Sequence, residues 1–507
     1  MCMYLYENRY FLKRLVHKRQ NLNMSRTLKK QRSDVVESSL DSLNSFDMWA
    51  VGITIVIGGQ YFGWNVGLTA GVGSCFITFV LTSIGYICLV YCVAELSSGL
   101  PFAGGNYGLT RVTAGIFPGY LVGCYDALGT VTYVATSTVA IGAMVTELTG
   151  ASPVFEPLYW FLFYATAVAI QSYGGVPFWR FNIFLALISL LLLLMYILGA
   201  AKWANFPVYA VGESNGKWFE GGMHEFMRQF YLGSWFYVGV ENISIACQDV
   251  PNPKRNIPMG YITCVWTLFF TGLATFFVCV SLPPGSSGLS DSLSPLQMGY
   301  HLMFQTSMKL SIIFSLPALY ATAFGFMFFY GRQLRAMGNA GLINPMIGQS
   351  LPHYKTPFHG LLFGSVIGYG ICVLCYFYVP LSGLLFQLSM LSCTFIYLSQ
   401  FLSYIVFKTL LANIKREFIS PLGFAGAIVG SIVFFLVMIS IMFFQKDFYS
   451  LIAFVVFTLL SSIYYFLYVK DRQFFSEEEK TVLMAAHVVK CESFVSTTRS
   501  HLSPPIS

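Results

Sequence analysis

Between Phe46 and Val469 the chain is a succession of apolar stretches, each close to the roughly 20 residues that cross a bilayer as a helix. Twelve can be delimited, at about 46–68, 71–96, 116–146, 157–176, 181–201, 224–248, 259–282, 308–332, 357–379, 382–408, 421–444 and 448–469. In hydrocarbon every backbone donor and acceptor must be satisfied internally, so such stretches are expected to be helices. A composition of 56% hydrophobic and 10% charged residues agrees, being too apolar for soluble domains of 507 residues. The expected fold class is an all-α integral membrane protein with 12 transmembrane helices.

The formal charge of +7 belongs to the N-terminal tail, where Arg9, Lys13, Arg14, Lys18, Arg19, Arg26, Lys29, Lys30 and Arg32 cluster. Residues 1–45 lack an apolar core of signal-peptide length, so the first span is expected to direct insertion. This start also has the Arg-rich character of a transit peptide and the charge of a lipid-binding tail, but a plain cytoplasmic tail is the reading taken. The short loops facing the same side as the N-terminus hold Arg111, Arg180, Lys254, Arg255, Arg332, Arg335, Lys355, Lys408, Lys415 and Arg416. The opposite loops hold Lys202, Lys217, Lys309 and Lys446. Basic residues favour the cytoplasm, so both termini are expected there, and the plasma membrane is the expected location. The organisation is then a basic tail (1–45), a twelve-helix domain (46–470) and a second cytoplasmic tail (471–507).

No loop carries a Walker-type phosphate loop, a zincin motif or a nucleophile elbow, and none is long enough for a catalytic domain. No enzymatic step, cofactor, metal or nucleic-acid partner is expected. His224, His301, His353 and His359 are scattered and read as solvated. Most cysteines lie inside apolar runs, and the CxxC pair Cys372 and Cys375 has no second pair or histidine beside it, so it reads as packing.

Two spans are interrupted. Gly58 and Gly59 break the first, ahead of Gln60, Tyr61 and Asn65, and Trp235 to Glu241, with Tyr237 and Gly239, breaks the sixth. Paired broken helices at matching positions are the best sequence pointer to a transporter's site. Glycine permits unusual backbone angles and close approach of a ligand. A helix restarting near Gln60 or Tyr61 would offer free N–H groups to an anionic atom, and the preceding carbonyls would attract an ammonium group. Small residues that only let helices pack closely are the competing explanation. Ionisable groups within spans suggest function. Glu241 is a candidate proton, cation or amine partner, or a brace for the unwound backbone. Asp126 is a second candidate, with Thr130 and Thr132 near enough to satisfy it instead. Glu95, at the cytoplasmic end of its span, reads as structural, hydrated or capping a neighbouring helix.

The run Ile57-Gly58-Gly59-Gln60-Tyr61-Phe62-Gly63-Trp64-Asn65 resembles the first-helix signature of ethanolamine permeases and their relatives in the amino acid–polyamine–organocation (APC) superfamily. Glu95-Leu96-Ser97 through Pro101 to Ala103-Gly104-Gly105-Asn106-Tyr107, Asn252-Pro253-Lys254-Arg255-Asn256-Ile257-Pro258 and Ser420-Pro421-Leu422-Gly423 are similar to other blocks of that superfamily. The resemblance implies two inverted five-helix repeats, about 46–201 and 224–408, followed by two further helices. It implies secondary-active transport of a small amino acid or amine by alternating access, with substrate held by the backbone of Gly58, Gly59 and Gln60 and of Tyr237 and Gly239. Trp235 would close over it, offering a cation–π face. Where ethanolamine permeases tend to carry an acid this chain has Gln60, and a second common acid falls at Gly129, which ranks an amino acid above ethanolamine. Span five has no mid-membrane lysine, so the resemblance leaves proton and sodium open as the coupling ion. A non-transporting amino acid sensor with the same pocket is the alternative of another class.

Overall fold

Gly63 and Gly239 are the residues at which the first and sixth spans change direction. Their φ angles of 89° and 100° lie in the left-handed region, where a side chain is strained. The computed structural model describes residues 43–101, 104–211, 218–350 and 356–474, and among these every regular element is helical.

The first span opens as α1 (Ser45–Val56), capped by Asn44, whose side chain accepts from the Phe46 N–H while the Asp47 carboxylate accepts from the Asn44 N–H. It tightens into a 3-10 turn over Ile57–Gln60, breaks at Gly63 and resumes over Trp64–Ala70. Then come α2 (Val72–Gly99), a short α3 (Gly105–Thr113), α4 (Ile116–Thr149), α5 (Glu156–Tyr173) and α6 (Gly175–Ala200). The sixth span is α7 (Gly222–Gln229), a 3-10 segment over Phe230–Phe236, the break at Gly239 and a second 3-10 segment over Val240–Gln248. The long helices that follow are α8 (Pro253–Val280), α9 (Leu316–Asn339), α10 (Phe358–Phe377), α11 (Pro380–Leu410), α12 (Gly423–Phe443) and α13 (Tyr449–Tyr464).

Among the described residues ten helices are long and apolar enough to cross a membrane. The first and sixth of the twelve expected segments fall outside that group because each is broken. The largest boundary shift concerns the eighth segment. Its continuous helix starts at Leu316, after short turns at Met308–Ser311 and Ile312–Phe314, and runs on to Asn339. Arg332 and Arg335, expected in a loop, therefore sit in the last turns of α9.

Burial separates a polar-lined centre from an apolar rim. In α5 and α13 many apolar side chains are exposed, including Leu158, Phe161, Leu459 and Leu460, whereas α4 and α9 are mostly buried. Exposed leucine and phenylalanine cost nothing against lipid, so these two helices form the outside of the bundle. The first span packs between α8 and α9, and α4 packs against both α9 and α11. The broken segments thus lie at the centre.

The side at which α1 begins, here the inner side, is fastened by two ionic clamps. Glu95, near the end of α2, is fully buried and meets Lys408 Nζ at 2.8 Å and Arg416 Nη1 at 2.7 Å, while Tyr404 Oη and the Ser420 N–H donate to its other oxygen. The expected structural role thus has a different basis from hydration or capping: the carboxylate joins α2 to α11 and to the strap before α12. Asp249, after the sixth span, accepts from Arg332 Nη2 at 2.6 Å, and the same guanidinium lies 3.6 Å over the Phe328 ring.

All ten cysteines among the described residues are buried and unbridged, Cys372 and Cys375 included, so they pack as small apolar groups. His224 is exposed, as expected, and lies against the Phe444 ring, while His301 and His359 are partly exposed and each also bonds a backbone carbonyl, of Thr306 and Gln349. His353 lies outside the described residues.

Candidate functional site

Gly58 and Gly59 are where the two broken spans and α9 come closest. Both keep right-handed geometry within Ile57–Gln60, so they are not the residues that redirect the chain. A Cβ on Gly59 would overlap the Trp235 carbonyl oxygen, and one on Gly58 would overlap Thr322 and the Ala318 carbonyl. The pair is therefore glycine because backbones touch there, the requirement raised above as the competing explanation. The restart expected near Gln60 or Tyr61 lies at Trp64, after Gly63, whose own Cβ would run into the Trp235 indole. Trp64 Nε1 donates to the Gln60 carbonyl at 3.1 Å, occupying one of the acceptors that the break releases.

The sixth-span break is built in the same manner. Gly239 faces Phe326 of α9 and Ile55 of α1, with no room for a side chain. Its N–H donates to Glu241 Oε2 at 3.1 Å, and Tyr261 Oη of α8 donates to the Glu241 carbonyl at 2.5 Å while accepting from the Ser244 N–H at 3.0 Å. Glu241 is buried and braces the unwound turn with its own carboxylate.

Over the junction lies an aromatic roof. The Trp235 indole stacks on Phe386 of α11 at 3.7 Å with the planes 13° apart, meets Phe62 edge-on at 4.6 Å and lies 5.6 Å from the Tyr133 ring of α4. Tyr133 in turn stacks on Phe326 at 4.1 Å. Such contacts contribute on the order of 1 kcal/mol each beyond the area they bury. Trp235 is 3% exposed, and a ligand that took its face would have to displace Phe386.

Of the expected site residues, Gly59 meets Trp235 with Gly58 beside it against α9, and Gly239 packs on the neighbouring Ile55 of α1 and Phe326 of α9. The other four send their side chains elsewhere. Gln60 Nε2 donates to the Leu268 carbonyl and Thr271 Oγ1 of α8, both at 3.1 Å, leaving its Oε1 buried without a partner. Tyr61 Oη donates to the Ser189 carbonyl of α6, and Tyr237 Oη bonds Ser83 Oγ of α2. Asn65 Nδ2 donates to the carbonyls of Leu289 and Ser292 at 2.8 Å, tying the restarted first span to the loop after α8.

Asp126 is buried too, but not satisfied as expected. Thr130 Oγ1 is spent on the Asp126 backbone carbonyl and Thr132 Oγ1 on those of Leu128 and Gly129. The carboxylate is met instead by Asn106 Nδ2 at 3.2 Å and Gln333 Nε2 at 3.4 Å. Phe386, Tyr133, Phe326, Asn106 and Gln333 are the contributors that the sequence reading missed. An aromatic in an apolar span carries no signal of its own, whereas Asn106 and Gln333 stand out as amides in buried helical positions.

On the outer flank a small crevice, with room for about one water molecule, is lined by Trp64, Ser74, Thr78, Gln229, Gly233 and Phe236 among others. It lies beside the breaks and does not touch Gly58, Gly59 or Trp235. Among the described residues no group of three His, Cys, Asp or Glu side chains is placed to hold a metal ion.

The family model for amino acid permeases matches residues 43–475. A methylthioribose transporter of Bacillus subtilis is 25% identical over 360 residues, 65% of this chain and 74% of that protein. An amino-acid permease of the same organism is 22% identical over 266 residues, covering 50% of this chain and 56% of its own length. A choline transporter of Saccharomyces cerevisiae is 24% identical over 260 residues, 46% of each.

Proposed function

The chain belongs to the amino acid permease family of the APC superfamily and is a membrane transporter rather than an enzyme, and on that premise we propose that it moves a small amino acid or amine by alternating access between its two broken spans. The observation that carries this reading is the junction of the breaks, where Gly59 lies on the Trp235 carbonyl beneath an aromatic roof. Unwound backbone is tolerated at membrane depth only where protein or a ligand satisfies it, and both breaks lie there without a charged side chain of their own apart from Glu241. The substrate would be held by main-chain groups at Gly58, Gly59 and Gly239 under Trp235, with Gln60, Tyr61, Asn65 and Tyr237 holding the surrounding helices in place. Glu241 and Asp126 are the proposed coupling acids.

The same proposal takes the two broken segments with the ten continuous helices as twelve crossings. It arranges the chain as inverted repeats at about 46–201 and 224–408 followed by two helices, with tails at 1–45 and 471–507 in the cytoplasm and the protein in the plasma membrane. The coupling ion is a proton or sodium, and the surrounding lipid is the remaining partner.

An amine of the ethanolamine or choline type is the second reading. The aromatic cluster around Trp235 favours it, as does similarity to a choline transporter. Uptake of labelled amino acids, ethanolamine and choline into proteoliposomes separates the possibilities. A free amino acid that competes where its decarboxylated amine does not supports the first reading. Tight binding without counterflow would make the protein a sensor instead.

A further inference from the structure

Two of the buried acids, Glu95 and Asp126, are treated differently. Glu95 has two cationic partners, whereas among the described residues no lysine or arginine pairs with Asp126. Asp126 is 2% exposed, and among the described residues its side-chain hydrogen-bond partners are two amides, at 3.2 and 3.4 Å. Charge-assisted hydrogen bonds normally close to about 2.8 Å, so these are long for a buried carboxylate, and an uncompensated buried charge is strongly unfavourable.

The surroundings hold more acceptors than donors. Asn106 Nδ2 is shared between Asp126 and Asn242 Oδ1, the latter at 3.3 Å. Gln400 Nε2 is engaged by the Asn106 carbonyl at 3.2 Å and Thr110 Oγ1 at 3.3 Å. Asn106 Oδ1, Gln333 Oε1 and Gln400 Oε1 are all buried and have no partner. The ionisable groups facing Asp126 from the neighbouring elements are Glu241, one residue before Asn242, and the Cys393 thiol of α11. Neither supplies positive charge. The four amides come from α3, the second half of the sixth span, α9 and α11. Rotation of each amide about its last bond exchanges nitrogen for oxygen at no steric cost.

From this convergence we propose that Asp126, Asn106, Asn242 and Gln333 form a binding site for a sodium ion. A single carboxylate with neutral amide oxygens matches a hard cation of unit charge. A divalent ion would ask for more carboxylates, and a transition metal for imidazole or thiolate. A proton on Asp126 would use only one of the idle oxygens. Occupancy would draw α3, the sixth span and α9 together on the inner side, and loss of the ion would release them. That coupling role rests on the permease reading; the binding site does not.

The test measures binding, not transport. The full-length protein is purified in detergent, and its thermal midpoint is followed against NaCl, with N-methylglucamine chloride keeping ionic strength constant and KCl as a second series. Ligands that bind only the native state raise the midpoint saturably. We expect sodium to do so and potassium to do so more weakly. Asp126→Asn should lose the sodium response while unfolding at or above the wild-type midpoint without sodium, because the uncompensated charge is gone. Gln333→Leu keeps the carboxylate and should weaken the sodium response about tenfold or more. It decides the matter if the first variant does not fold. No sodium-specific shift in the wild type, or a shift retained in Asp126→Asn, overturns the proposal. Stabilisation by acid alone, absent in Asp126→Asn, would make the occupant a proton and overturn it equally. A protein that binds sodium yet transports none of the tested solutes would count against the permease reading only.

Discussion

One methyl group at position 59 decides whether the two broken spans can meet. The atom that an added Cβ would strike is the Trp235 carbonyl oxygen, part of a backbone fixed by its own break. Neither side can give, so Gly59→Ala is expected to cost at least about 3 kcal/mol, at the upper end of overpacking in a filled core. Gly370 of α10 is the control, since nothing lies within 4 Å of its Cβ position. Gly370→Ala should be neutral or stabilising by up to about 1 kcal/mol through better helix propensity. Thermal midpoints of the purified variants check both, and equal midpoints would remove Gly59 from the junction. Gly239→Ala tests the other break, where left-handed geometry costs roughly 1–2 kcal/mol before the overlap with Phe326 is counted. The contrast also marks what a sequence yields at this scale. The doublet Gly58-Gly59 announces itself, but the turning residue is the single Gly63. What sets the two roles apart is the position of Trp235, more than 170 residues further along the chain.

Elements were the most legible scale. Ten of the twelve expected segments are continuous apolar helices, and the two foreseen as interrupted are the broken ones. Length and hydropathy suffice there because the bilayer demands both. What fastens one element to another was not legible, and Glu95 shows why. Its partners Lys408 and Arg416 lie more than 300 residues away, so nothing near it in the chain announces a full ionic clamp. Removing the carboxylate would leave two cations facing each other in a mostly buried space, and breaking a buried ion pair costs about 3–5 kcal/mol. Lys408 and Arg416 are 17% and 13% exposed, which lets water relieve part of that, so the lower bound applies. Glu95→Ala should therefore lower stability by about 3 kcal/mol. Lys408→Met should lower it less, because Arg416 still neutralises Glu95. Denaturation midpoints of the two variants test the order, and a larger loss from Lys408→Met would assign the clamp's stability to that lysine's packing.

In the whole molecule, the centre is shut from both directions at once. On the outer side Trp235 lies stacked on Phe386; on the inner side Asp249 holds Arg332, joining the end of the sixth span to the end of α9. On the alternating-access reading proposed above, opening either side first requires that its own closure part. The two closures should therefore be separable by mutation. Cys393 reports on the space between them, being 3% exposed, next to Gly129 and within the field of Asp126 and Glu241. Trp235→Ala removes the roof while leaving the inner ion pair, so a membrane-impermeant thiol reagent should reach Cys393 faster from the outer side, with little change from the inner. Asp249→Asn frees Arg332 and should give the reverse. Asp249→Arg combined with Arg332→Asp restores the opposite charges and should return labelling toward the wild-type rate. Peptide-resolved mass spectrometry of sealed vesicles of each orientation measures all three. If both single variants raised labelling from the same side, Trp235 and Asp249 would belong to one closure, and the alternating-access reading would fail.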